Sequence, residues 1–312
     1  MSYIEEFEKK LQGQVIPQTM KPDFAQFWQK SVEQVRAVPI EIKREKLETP
    51  YERSFITWEL TYNTHDDTKI HAWFSVPTGA KEKLPCVVFY HGGGSHKELY
   101  PGIMAAGVCC FAMDVRGEGG TSIDQAVYNS GGTNGGLMNH GVLDKENFFM
   151  HNIYKDAIRA IDVAASLPEV DPDRIVTYGG SQGGALSIVA SALSGRSQKC
   201  YSGITSYCCL QQRVELGSGI LSGVTEYLRK YPLDTDRAME TLSYFDINNM
   251  VSLLKVPVLF CMGLSDPVCL PKFVYSAYDH VPGEKEVNMY PFVQHKMPRE
   301  WVWKVHGEFA KL

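Results

Sequence analysis

From residue 84 onward the chain alternates short apolar runs with stretches of helical spacing, and this alternation restricts the fold more than any other feature of the sequence. Residues 86–90 and 108–114 read as strands. Residues 152–167 carry Ile153, Ala157, Ile158, Ile161 and Ala164 at helical spacing. Asp171-Pro172 then precedes a third strand at 174–178, and 186–193 reads as a helix of small residues. Residues 203–207 and 256–262 read as two more strands. A strand that is apolar from end to end has no face to give to water, so helices must cover it on both sides. The expectation is an α/β fold: a mostly parallel central sheet with helices on both faces, right-handed crossovers and a site at the carboxyl ends of the strands.

The first hundred residues follow another pattern. Pro22-Asp23 open a helix with Phe24, Phe27, Trp28, Val32 and Val35 on one face. Residues 55–62 and 69–76 read as a hairpin around the turn residues Asn63-Thr64-His65-Asp66-Asp67. Residues 210–250 break the later rhythm with Tyr227, Tyr231, Tyr244 and Phe245 among charges, and read as a helical insertion over the sheet. No repeat, low-complexity tract or linker divides the chain, so residues 1–312 are expected to form a single domain.

Composition narrows the functional classes. Apolar residues make up 44% and charged residues 21%, the balance of a chain that buries a core. A net charge of −5 offers no basic field for nucleic acid or an anionic membrane. No apolar run approaches the ~20 residues of a membrane span. The acidic, interrupted start is unlike a secretory leader, so a cytoplasmic location is expected. The eight cysteines form no C-x-x-C pair and several sit in apolar segments, as buried free thiols do. His91 and His96 have no third ligand beside them in sequence, and no metal or other cofactor is expected. Neither G-x-x-x-x-G-K-[ST] nor a strand-linked G-x-G-x-x-G occurs, which argues against nucleotide binding.

The chemistry centres on Gly179-Gly180-Ser181-Gln182-Gly183. Glycine is common here, 27 of 312 residues, so a G-x-S-x-G match is weak by itself. Its place carries the weight: it follows a strand and precedes a helix, where a sharp turn lifts a serine above a helix N-terminus. Gly179 and Gly183 leave room for that turn. A serine hydroxyl needs a base to take its proton, and the base needs a carboxylate to orient it. Asp266 follows an apolar strand and a Gly-containing turn, unlike Asp234, Asp236 and Asp246. His295 follows the next extended segment, whereas His280 and His306 fall within predicted helices. The order Ser181, Asp266, His295 suits two-step acyl transfer. The backbone N–H of Gln182 and the Gly-rich loop His91-Gly92-Gly93-Gly94 are the expected oxyanion donors. Arg116, just after another strand, is expected to support the site structurally.

With those residues in view, the chain resembles the cephalosporin C deacetylase and acetyl xylan esterase family, carbohydrate esterase family 7 of the α/β-hydrolases. The likeness runs nearly end to end. It includes Lys21-Pro22-Asp23-Phe24 with Phe27-Trp28, Asp114-Val115-Arg116-Gly117, and Asp171-Pro172-Asp173-Arg174-Ile175 leading to Gly179-Gly180-Ser181-Gln182-Gly183-Gly184. It continues with Gly263-Leu264-Ser265-Asp266 and Ala277-Tyr278 with His280. The resemblance implies Ser181 as nucleophile, Asp266 as acid, His295 as base, and Gly93 and Gln182 as oxyanion donors. It also implies removal of acetyl groups from small oxygen esters, including acetylated xylo-oligosaccharides and cephalosporins. The implied assembly is a homo-oligomer, commonly a hexamer with sites facing an inner cavity.

Three positions depart from that pattern. The R-G-Q signature reads Arg116-Gly117-Glu118, the oxyanion-loop tyrosine is Gly93, and H-E reads His295-Lys296. Gly93 removes a side-chain wall, which would widen the acyl pocket. Two other functions fit parts of the pattern. A prolyl oligopeptidase-like peptidase shares the serine turn but usually carries a further large domain. A non-catalytic binding protein of this fold typically lacks one of the three residues that all stand here.

Overall fold

Ser2 accepts a hydrogen bond from the Glu5 backbone N–H and its own N–H donates to the Glu5 carboxylate, a reciprocal cap that opens helix α1 (Tyr3–Gln12). This helix was not expected from the sequence. The computed structural model describes residues 2–131, 136–217 and 219–312. Helix α2 (Phe24–Ala37) buries the expected stripe, Phe24, Phe27, Trp28, Val32 and Val35. Trp28 anchors it by donating its indole N–H to the Tyr244 carbonyl at 3.0 Å.

Strands β1 (Ile42–Leu47), β2 (Phe55–Asn63) and β3 (Lys69–Pro77) form an antiparallel meander. The hairpin lies where the turn residues placed it, with Phe55 opposite Pro77 and Asn63 opposite Lys69. Strand β1 was not expected, because Lys43, Arg44, Glu45 and Lys46 give it no apolar alternation.

The alternating part follows: β4 (Leu84–Tyr90), α3 (Pro101–Met104), β5 (Cys109–Met113), α4 (Phe149–Ser166), β6 (Val170–Gly180), α5 (Gln182–Ser194) and β7 (Ser197–Gly203). The region 210–250 is helical as expected, with α6 (Leu210–Leu216), α7 (Ser222–Lys230), α8 (Thr235–Ser243) and α9 (Ile247–Met250), although Ser218 within it lies outside the described residues. Strand β8 (Val258–Gly263), α10 (Pro271–Asp279), β9 (Lys285–Tyr290) and α11 (Arg299–Phe309) complete the chain.

One nine-stranded sheet runs through these elements in the order β1-β2-β3-β5-β4-β6-β7-β8-β9. From β5 to β9 every pairing is parallel. Its middle is buried on both sides. Helices α4 and α5 contribute Ile153, Ala157, Ile161, Leu186 and Val189 to the core on one side, and Trp301, Val305 and Phe309 of α11 pack on the other. Strand order reverses at β4, which has β5 on one side and β6 on the other. In open parallel sheets such a reversal parts the loops above the strand ends and leaves a crevice there. All eight cysteines are buried free thiols. Among the described residues no helix is long and apolar enough to cross a membrane.

Two boundaries differ from the sequence expectation. The strand expected at 203–207 lies earlier, at Ser197–Gly203. Ile204 and Tyr207 take positive φ, 41° and 59°, which turns the chain away from the sheet. Asp171-Pro172 does not separate the helix from the following strand. Strand β6 runs through it, and a register irregularity between Leu84 and Cys86 absorbs the extra residues.

Candidate active site

Ser181 sits between β6 and α5 with φ 57° and ψ −120°, a backbone conformation that L-residues rarely adopt. The glycines on either side make the turn possible. A Cβ on Gly179 would lie 2.4 Å from the Gly183 carbonyl carbon, and one on Gly183 would lie 1.9 Å from the Tyr90 carbonyl oxygen. No side chain fits at either position. The Ser181 N–H donates to the Gly203 carbonyl at 2.9 Å, and the Ser206 N–H donates to the Ser181 carbonyl at 3.0 Å. The turn is thus pinned to the end of β7, and its serine stands at the N-terminus of α5, where the helix dipole favours negative charge.

Asp266 follows the Gly263 turn at the end of β8, and His295 lies in the connection between β9 and α11. The two loops are tied by the Ser265 N–H, which donates to the Val293 carbonyl at 3.0 Å. The structure brings the three sequence candidates together. His295 Nδ1 lies 2.8 Å from Asp266 Oδ2, and His295 Nε2 lies 3.1 Å from Ser181 Oγ. With the proton on Nδ1 donated to the carboxylate, Nε2 presents its lone pair to the serine hydroxyl. Asp266 is buried, and its other oxygen accepts the N–H groups of Val268 and Cys269 at 2.8 and 2.9 Å. The hydrogen bond to Asp266, helped by Cys269 beside the ring, raises the His295 pKa to about 9. The share of neutral imidazole therefore grows as pH rises toward that value.

The loop after β4 lies over this serine. The Cβ position of Gly92 is 3.9 Å from Ser181 Cβ, and that of Gly93 is 3.5 Å from Gln182 Oε1. Gln182 is the first residue of α5 and is fully buried, with its side-chain oxygen accepting from the Tyr207 hydroxyl. The space beside Gly93 is not empty: a Cβ there would meet Ile220 Cδ1 at 3.2 Å. Part of the wall that a tyrosine would supply comes instead from the insertion after β7.

Of the other two departures, Lys296 is exposed whereas Glu118 is largely buried. Glu118 accepts the Gly94 N–H at 2.9 Å, and its side chain is only 5% exposed. Burial pushes its pKa up to about 7, against the pull of the Gln182 amide and the Gly94 N–H. Arg116 is fully buried among acids and reaches no part of the Ser181–His295 pair. It makes paired hydrogen bonds to Asp156 at 2.6 and 2.8 Å and to Asp66 at 2.6 and 3.1 Å, joining the β2–β3 turn to α4.

Of the rival acids, Asp236 is exposed, while Asp246 and Asp234 and the other histidines are engaged elsewhere. Asp246 accepts the N–H groups of Cys209, Leu210 and Asn248, and Asp234 accepts the Tyr227 hydroxyl. His280 bonds the Ser276 carbonyl, and His306 packs against Tyr178 and Phe309. His91 accepts the Val115 N–H while His96 lies by Glu98, so the two histidines do not converge on one ligand. Sequence reasoning missed Cys269, Tyr207 and Ile220. Only Cys269 left a signal, its position three residues after Asp266 on the same turn.

The comparisons with known proteins agree with this architecture. The profile of the acetyl xylan esterase (AXE1) family matches residues 8–311. An acetyl esterase of Xylanibacter ruminicola is 26% identical over 287 residues, covering 89% of this chain; the chain spans 64% of that relative's length. The solved acetyl xylan esterase from Paenibacillus sp. R4 superimposes with a TM-score of 0.91 at 31% identity, covering 97% of this chain and 98% of its own. Acetyl xylan esterase 1 from Thermoanaerobacterium sp. JW/SL YS485 gives 0.89 at 27% identity, with the same coverage of both chains.

Proposed function

The chain belongs to the acetyl xylan esterase family, and from that premise we propose that it is a serine esterase that removes acetyl groups from small oxygen esters. Acetylated xylo-oligosaccharides and cephalosporin C-type acetates are the proposed substrates. The observation that carries this reading is the hydrogen-bonded series Ser181–His295–Asp266, with separations of 3.1 and 2.8 Å, on a strained turn at a helix N-terminus.

Each residue then has a role. His295 Nε2 takes the Ser181 proton as Oγ attacks the ester carbonyl. Asp266 holds the ring by Nδ1 and stabilises the imidazolium that forms. The developing oxyanion faces the backbone N–H groups of Gln182 and Gly93, rigid donors that cost no reorganisation during the reaction. His295 returns the proton to the departing alcohol, and the acetyl group stays on Ser181. Water enters, loses a proton to His295 and attacks the acetyl carbonyl, so acetate leaves and Ser181 regains its proton. Gly179 and Gly183 keep the turn open, and Arg116 holds the loop after β5.

The chain is further proposed to act as one domain, in the cytoplasm, and as a homo-oligomer that admits small esters. The test is turnover of p-nitrophenyl acetate and acetate release from acetylated xylo-oligosaccharides by the wild type and Ser181→Ala. Loss of both activities in the variant, by about 10⁶-fold in kcat, is the expected result. Turnover of the chromogenic ester alone would keep the mechanism and remove the sugar. Full activity in Ser181→Ala would overturn the assignment.

A further inference from the structure

The acid and the base of the site share a neighbour that the esterase mechanism does not use. Cys269 lies three residues after Asp266 on the same turn and is 1% exposed. One ligand atom each from Asp266, Cys269 and His295 lies within 4.8 Å of the others, the one such group found among the described residues. A carboxylate oxygen, a thiol sulfur and an imidazole nitrogen form a donor set that suits Zn²⁺ or a similar borderline dication. The spacing of Asp266 and Cys269 shows two of the three ligands, whereas His295 reaches the turn from another loop.

We propose that Asp266, Cys269 and His295 form an inhibitory site for a Zn²⁺-class dication, which switches the esterase off by occupying the orienting side of its base. The inhibition rests on the catalytic reading above, while the binding site does not. Bonds of about 2.0–2.3 Å to a tetrahedral ion place its ligand atoms roughly 3.5 Å apart. A modest rearrangement of a turn and one ring therefore suffices. The turn is already ordered for it: Asp266 Oδ1 accepts the Cys269 N–H at 2.9 Å and fixes two of the ligands relative to each other. The third is the way in, since the His295 side chain is 26% exposed whereas that of Asp266 is 1% exposed. Solvent on that side supplies a fourth ligand.

The balance is simple and involves no redox change. The ion binds the Cys269 thiolate, and the thiol proton leaves to solvent. It binds His295 through Nδ1, which must give up its proton. A ring that began as imidazolium loses that proton and keeps the one on Nε2; a neutral ring shifts its proton to Nε2. Either way Nε2 becomes a donor and cannot accept the proton of Ser181. Asp266 exchanges its hydrogen bond to the ring for a bond to the ion.

Cobalt(II) is the probe, because thiolate ligation gives it a near-ultraviolet charge-transfer band whether or not the protein turns over ester. Ser181→Ala titrated with Co²⁺ should develop that band at one equivalent, and Zn²⁺ should bleach it. The double variant Ser181→Ala, Cys269→Ala should lack the band despite its seven other cysteines. With Ser181 present, Zn²⁺ should inhibit p-nitrophenyl acetate turnover and a chelator should restore it. Cys269→Ala, scored against its own metal-free rate, should need at least about 10-fold more Zn²⁺ for half-inhibition. If the alanine variant folds poorly, Cys269→Ser serves in the same comparison. Absence of the cobalt band, or equal zinc sensitivity with and without Cys269, overturns the proposal. A protein that shows the band but has no esterase activity would keep the metal site and remove the function proposed for the triad.

Discussion

Two groups of charged and polar side chains are set around the carboxyl ends of the sheet, and they are built on opposite plans. Around Arg116 the design is closed. The guanidinium is fully buried, Asp156 and Asp66 each take two hydrogen bonds from it, and Thr64 donates to the same Asp156 at 2.9 Å. Around His295 the design is open. Asp266 is about as deeply buried as Asp156, yet its series runs outward through a half-buried imidazole to a serine hydroxyl. A buried ion network whose donors are all satisfied can only hold its surroundings in place. One that ends in an unshared lone pair beside a hydroxyl can move a proton. The same residue types thus suit stability in one place and chemistry in the other, and the difference lies in where each network terminates.

That contrast can be broken from either side. The largest effect is expected at the open group: Asp266→Asn should lower kcat for p-nitrophenyl acetate by about 10⁴-fold, because the amide favours the wrong imidazole tautomer. Its urea unfolding midpoint should move little. Arg116→Met should do the reverse. Removing the cation leaves Asp156 buried without its partner, at a cost of about 3–5 kcal/mol in unfolding free energy. The fraction that remains folded should keep its kcat, and a 100-fold loss of kcat there would show that Arg116 serves the chemistry directly.

Glu118 lies between the two plans, and its effect should depend on pH. Its folded pKa of about 7 stands above the ordinary 4.5. The fold therefore binds the Glu118 proton more tightly than the unfolded chain does. Below pH 4.5 both states are protonated and the group costs nothing. As pH rises from 4.5 through 7, wild-type stability falls relative to Glu118→Gln, by up to about 3 kcal/mol. Unfolding both proteins at pH 5 and pH 8 measures the difference, and an equal gap at the two pH values would sink it. The smallest change is expected from Gly93→Ala. Ile220 must yield a few tenths of an ångström to the new methyl group, so kcat/KM for the acetyl ester should change less than about 5-fold. The acetyl-to-butyryl preference should rise, which a series of p-nitrophenyl esters reads directly.

Much of the fold was legible because local patterns and tertiary demands agreed. Residues 86–90, 108–114 and 256–262 are apolar throughout or nearly so, and they became β4, β5 and β8 in the buried middle of the sheet. The meander edge was less legible. Strand β1 is charged along its length and is recruited by pairing with β2, a long-range contact that its own sequence does not announce. The strand expected at 203–207 was displaced because Ile204 and Tyr207 are held at positive φ where that segment packs beneath the serine turn. Nothing in those two residue types signals it.

The site divides in the same way. Ser181, Asp266 and His295 could be picked out because each follows a strand that marks itself, and all three strands end at one edge of one sheet. The sequence by itself determined that geometry in outline, through the period of its apolar residues and the two glycines without which the serine turn would clash with its own backbone. Only the tertiary structure decided what surrounds the three residues. It set Ile220 against Gly93, closed Glu118 onto the loop after β4 and brought Cys269 beside His295. Strand ends are fixed by local hydrogen bonding and hydrophobic period, which sequence carries at short range, whereas contacts between loops depend on how separate segments pack over the finished sheet.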